Sequence, residues 1–151
     1  MNYAFTNGKI LDGTKDMQVQ TGLCILVQDG TITDIVPDTA ALAGYKTIDL
    51  PGRYIMPGLI NMHVHLAGNG KPQKKQRDNE KLVKKIMRSS LTRAIAYKMV
   101  SGFAKDELLS GVTTIRTVGG LGSFDTRLRD EIAAGTKVGP RILAANEGIS
   151  V

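Results

Sequence analysis

The chain has 151 residues, of which 42% are hydrophobic and 23% charged, enough for a domain with its own core and without an apolar run of membrane-spanning length. Its start has no basic segment leading into an apolar one, so no secretory signal is expected, and the single cysteine, Cys24, excludes an internal disulfide and points to a cytoplasmic setting. The net charge of +6 is concentrated in residues 71–88, and because no aromatic residue interleaves that run, it reads as a solvated loop and helix face rather than a nucleic-acid platform.

In chain order, Tyr3–Thr6, Asn7-Gly8 and Lys9–Asp12 predict a strand, a tight turn and a strand, since Asn-Gly between apolar runs favours a hairpin. Leu23–Gln28, Asp29-Gly30 and Thr31–Val36 repeat the device, and Pro37 ends the second strand. Thr47–Leu50 is a further short strand, closed by Pro51-Gly52. Residues 1–56 are therefore expected to form a small antiparallel β-module.

At Gly58 the pattern changes. A mostly apolar strand over residues 58–66 leads into a Gly-rich basic loop, and helical spacing follows: Leu82, Val83, Ile86 and Met87, then a core stripe of Leu91, Ile95, Met99 and Phe103, with Gly102 expected to bend or break the helix. Gly111–Gly120 holds a β-branched strand and its loop. Asp125–Ala134 is a short helix capped by Gly135, and Gly139–Asn146 is a third strand. The alternation over residues 57–151 predicts an α/β architecture: parallel strands opening a TIM-type (β/α) barrel, with about three βα units.

The chemistry is concentrated at Asn61-Met62-His63-Val64-His65, which carries both histidines of the chain. Residues two apart on a strand share a face, so Asn61, His63 and His65 are expected on one side and Met62 and Val64 on the other. Two imidazoles so placed can grip one metal ion, and zinc, iron, nickel and manganese all accept such ligands in varying degree. His-x-His alone is weak evidence, since packed or surface histidines are commoner than metal ligands. The run of apolar residues around the pair suggests a strand buried on both faces.

Met56-Pro57-Gly58-Leu59-Ile60 running into His63 and His65 resembles the start of the first barrel strand in the amidohydrolase superfamily. Ser110–Arg116, Leu128–Ile132 with Gly135, and Gly139–Ala144 resemble, in that order, stretches of its metal-dependent prolidase and imidazolonepropionase-like branch. Thr117 and Asn61 depart from the pattern, since relatives often carry Asp at both places. Neither is an obligatory ligand in that family, so the departures bear on substrate class.

The resemblance implies hydrolysis of a C–N bond in a small molecule, such as a dipeptide, an N-acyl amino acid or a cyclic amide, with one or two divalent metals, zinc first among them. It implies that residues 1–56 are half of a composite β-sandwich beside the barrel, and that His63 and His65 hold the more buried metal. Arg116 would pair with a substrate carboxylate, or else make an ordinary salt bridge. The family's remaining ligands (a carboxylated lysine, two more histidines and an aspartate base) come from later strands and have no counterpart in these 151 residues. No catalytic residue is therefore expected within this chain. A TIM barrel takes roughly 250 residues, so the barrel would be incomplete and an edge strand left open. The expectation is the N-terminal part of a metal-dependent hydrolase, inactive alone; the alternative is a non-catalytic module that acts by associating with a partner chain or as an oligomer. Neither a membrane nor a nucleic acid is an expected partner.

Overall fold

The computed structural model describes residues 1–68 and 78–147. The chain divides into two compact units, Met1–Pro57 and Gly58–Val151, and is mixed α/β. Part of the basic run lies outside the described residues.

The first unit has six strands: β1 (Asn2–Thr6), β2 (Lys9–Ile10), β3 (Leu23–Gln28), β4 (Thr31–Pro37), β5 (Lys46–Asp49) and β6 (Tyr54–Ile55). β4-β3-β1-β5 form one sheet and β2-β6 a second. β3 and β4 are the hairpin that Asp29-Gly30 demands, with both turn residues left-handed (φ 47° and 83°). Its ladder carries a bulge at Leu26/Val27. Ala4, Thr6, Cys24 and Ile25 are buried, and Cys24 packs as a small apolar side chain whose thiol is pushed up in pKa by burial.

Two expectations fail in this unit. Asn7-Gly8 is not a hairpin: β1 and β2 belong to different sheets. A type I′ turn needs two left-handed residues, and only Asn7 (φ 58°) is one; its side-chain amide donates to Asp49 Oδ1 at 2.7 Å instead. The module is also mixed rather than antiparallel. β5 lies parallel to β1, with Tyr3 opposite Lys46, and β2 lies parallel to β6. Alternation of apolar and polar residues fixes which face of a strand is buried but says nothing of its direction.

The second unit contains β7 (Leu59–Val64), α1 (Asn79–Arg88), α2 (Ser90–Leu109), β8 (Val112–Thr117), α3 (Phe124–Ala133) and β9 (Arg141–Leu143). The strands form a parallel sheet in the order β7-β8-β9. The core lies between this sheet and its helices: Val64, Leu66, Ile115 and Ile142 meet Tyr97, Val100, Phe124 and Leu128. Each such side chain, once buried, contributes about 1.5–3 kcal/mol. Asp78 caps α1 by accepting from the Lys81 amide at 3.0 Å. Gly135 ends α3 as expected, with φ 71° and its amide on the Ile132 carbonyl.

Here too the structure departs from expectation. Gly102 lies inside an unbroken α2; the break between the helices is at Ser89, whose backbone is extended (φ −113°, ψ 139°). A mid-helix glycine costs only about 1 kcal/mol, less than packing supplies. The buried stripe of α2 is Ala96, Tyr97, Val100 and Ala104, whereas Leu91, Ile95 and Met99 are exposed. α2 is apolar on two stripes, and periodicity alone cannot rank them. β7 is not buried on both faces, since Leu59, Ile60 and Met62 are exposed, and among the described residues β8 is its one sheet neighbour. Among the described residues no helix follows β9, so there are two βα units and a third strand rather than three units.

Candidate functional site

The start of β7 is set by a close approach. A Cβ on Gly58 would stand 2.0 Å from Thr113 Oγ1 and 2.7 Å from Thr113 Cβ, so only glycine lets this backbone lie against β8. At the other end of β7 the register with β8 shifts between Asn61 and Val64. Asn61 turns its side-chain oxygen onto the His63 amide (3.2 Å) rather than outward.

His63 and His65 lie at the C-terminal end of β7 with ring centroids 5.2 Å apart, edge to face. His65 Nδ1 is 3.2 Å from the Gly119 carbonyl oxygen. A carbonyl can only accept, so Nδ1 is the donor in this contact, and in a neutral ring the lone pair is then on Nε2. The pair thus stands together on one side of the strand, and one ring is held in the tautomer that suits metal binding through Nε2. Among the described residues no group of three or more His, Cys, Asp or Glu is close enough to hold an ion.

The loop after β8 completes the surroundings. A Cβ on Gly119 (φ 153°) would lie 3.3 Å from His65 Nδ1, and one on Gly120 would lie 2.6 Å from Asp125 Oδ2. Asp125, in the first turn of α3, is 1% exposed, and neither of its carboxylate oxygens has a hydrogen-bond partner. Burial pushes its pKa up, while the nearby Thr117 hydroxyl and His65 pull it down. The Thr117 hydroxyl itself accepts from the Ala145 amide at 3.0 Å. Nothing in its own position in the sequence sets Asp125 apart, because an acidic residue at a helix start is ordinarily explained by the helix dipole. The signal that could have found it is the Gly-Gly loop before it, which admits a second side chain against the backbone.

Arg116 is exposed on β8, between buried Ile115 and Thr117, and its Nε donates to the Met62 carbonyl at 3.0 Å. It therefore satisfies a backbone oxygen of β7 where the strand register shifts. It also lines an open cleft of about 560 Å³ with Arg129, Leu143 and Ala145, and the two histidines are not among the lining residues. Among the described residues no helix is long and apolar enough to cross a membrane.

A sequence profile of the amidohydrolase family matches residues 54–151. The chain belongs to the amidohydrolase family. This amidohydrolase chain is 37% identical over 70 residues to the dihydroorotase of Trichlorobacter lovleyi, a match covering 46% of this chain and 16% of that protein. Among solved structures it is similar to a protein described as a prolidase from Bifidobacterium longum, with 33% identity and a TM-score of 0.73. It is also similar to a Xaa-Pro dipeptidase with bound methionine in the active site, with 28% identity and a TM-score of 0.74. These superpositions cover 97% and 99% of this chain but 30% and 34% of the solved ones, so the chain spans about a third of those relatives' length.

Proposed function

We propose that the chain is the N-terminal part of a metal-dependent amidohydrolase that hydrolyses a C–N bond in a small-molecule substrate, and that it is inactive alone. The observation that carries this reading is the His63–His65 pair at the end of β7, with Nδ1 of His65 tied to Gly119 and Nε2 left for a ligand. A divalent ion bound there, zinc first among the candidates, would act as a Lewis acid that lowers the pKa of a water and polarises the scissile carbonyl. The two imidazoles would supply part of its coordination, and the carbonyl of Gly119 would fix the orientation of one of them. A catalytic zinc takes about three protein ligands, so two histidines alone would hold it weakly.

In this reading β7-β8-β9 are the first strands of a TIM-type barrel, and residues 1–56 are half of a β-sandwich. Arg116 would present its terminal nitrogens to a substrate carboxylate while its Nε stays on the Met62 carbonyl. Relatives named dihydroorotase and Xaa-Pro dipeptidase leave the substrate among cyclic amides, dipeptides and N-acyl amino acids. The exposed apolar stripe of α2 and the side of β7 that pairs with no strand among the described residues favour a second reading, a non-catalytic module completed by a partner chain.

Zinc and cobalt titrations of the chain and of a His63→Ala/His65→Ala double variant test the first reading. The chain is expected to bind weakly, the variant not at all, and neither to turn over a dipeptide or an N-acyl amino acid. Robust turnover by the pure chain, or equal binding by both, would refute it. The intact mass of the native polypeptide separates the two readings: a mass well above 16.2 kDa supports the hydrolase, and 16.2 kDa supports the module.

A further inference from the structure

Resting on the metal reading of His63 and His65, we infer that Asp125 is a positioning residue for His65: a buried carboxylate, set behind the Gly119-Gly120 loop, that backs the loop holding the imidazole and favours a cation on the ring's outer nitrogen.

Three independent features place it there. First, the carboxylate is 1% exposed and, apart from the Thr117 hydroxyl beside it, has no hydrogen-bonding neighbour, an arrangement that folding alone disfavours. A buried carboxylate with no cationic partner is retained at a cost unless something else compensates its charge. Second, two consecutive glycines touch the two residues in turn. Gly119 touches the His65 ring through its carbonyl, and Gly120 lies directly against the Asp125 carboxylate, where a methyl group would not fit. The loop is thus sandwiched between an imidazole and an anion. Third, Asp125 does not join the histidines as a ligand, because no three such groups are close enough among the described residues. Its influence on an ion must therefore pass through His65 and through the field at the site.

The Thr117 hydroxyl fits the same arrangement. Its oxygen is occupied by the Ala145 amide, so its own proton is free to turn toward Asp125. Facing Asp125 are the His65 ring across the loop and the Thr117 hydroxyl as the neighbouring dipole. Acidic partners behind metal-bound histidines typically change metal affinity by about ten- to a hundred-fold.

The test uses the 151-residue chain, Asp125→Asn and Asp125→Leu, with Co²⁺ absorption titrations and thermal melts in chelator. Both variants are expected to melt no lower than the parent without metal, since each removes a buried unpaired charge, and to bind Co²⁺ about ten- to a hundred-fold more weakly. A purely structural Asp125 would give the reverse: a lower melt and unchanged affinity, which would overturn the inference. A second readout uses only the parent chain. Imidazole ¹⁵N spectra should show Nδ1 of His65 protonated with and without Zn²⁺, and only Nε2 responding to the metal; Zn²⁺ on Nδ1 would overturn it. If the parent binds no Co²⁺, the metal reading itself falls and takes this inference with it; binding unchanged by either variant removes the inference alone.

Discussion

Gly58→Ala is the sharpest test of how β7 is seated. The new Cβ would stand 2.0 Å from Thr113 Oγ1, 2.3 Å from Cγ2 and 2.7 Å from Cβ. Rotating the exposed Thr113 side chain relieves the first two contacts but not the third, because Cβ is fixed to the backbone of β8. Bringing that pair from 2.7 Å to the 3.4 Å of ordinary contact requires the strands to part by about 0.7 Å. That strains the Leu59–Gly111 hydrogen bond, which is 2.9 Å long and opens the β7–β8 ladder. Overpacking of this size costs about 1–3 kcal/mol. Equilibrium urea unfolding of the parent, Gly58→Ala, Thr113→Gly and the double variant would measure it. Thr113→Gly alone should cost about 0.5–1 kcal/mol through backbone entropy. The double variant should recover at least about 1 kcal/mol relative to the sum of the singles. Strict additivity, or a Gly58→Ala midpoint equal to the parent's, would refute the close-approach argument.

Two further perturbations probe the core of the same unit. Leu128→Ala, at a fully buried position of α3, should cost about 2–5 kcal/mol in urea unfolding, and a loss well under about 1 kcal/mol would show that the site collapses or is not packed as described. Tyr97 donates to Glu131 at 2.7 Å, and that bond, followed by Arg127, holds the Glu131 carboxyl below its ordinary value of 4.5. Burial keeps the Tyr97 hydroxyl protonated by pushing its pKa up. A depressed acid stabilises the fold above its unfolded pKa and loses that contribution as pH falls through the folded one. The stability gap between parent and Tyr97→Phe should therefore be constant above about pH 4.5 and narrow below it; a gap independent of pH would exclude the Glu131 partnership.

The parts of the structure legible in the sequence are those specified by local chemistry. Asp29-Gly30 names a turn whose geometry few other residues tolerate, and Gly135 names a helix end for the same reason. The βαβ order of the second unit follows from the change of period at Gly58. His63 and His65 announce themselves by spacing, and the structure brings their rings together. What was not legible depends on partners far away in sequence. The direction of β5, the choice between the two stripes of α2 and the exposure of β7 are all decided by what each element packs against. Asp125 falls in the same class: its burial and its missing partners are properties of the Gly119-Gly120 loop and of β8, not of the helix that carries it.

The parallel pairing of β1 with β5 bears on how the first unit is made. β1 is the second strand from one edge of its sheet and is synthesised first, yet Lys46, the partner of Tyr3, follows it by forty-three residues. At about 5–20 residues per second on the ribosome, that interval is roughly 2–9 s, during which one side of β1 has nothing to bind. The β3–β4 hairpin closes within about 1–10 μs of emerging, so it is the template on which β1 waits. Turn residues Asp29 and Gly30 therefore set the exposure of a nascent strand as well as the shape of the finished sheet, and their replacement should be felt first in the yield of soluble chain during synthesis.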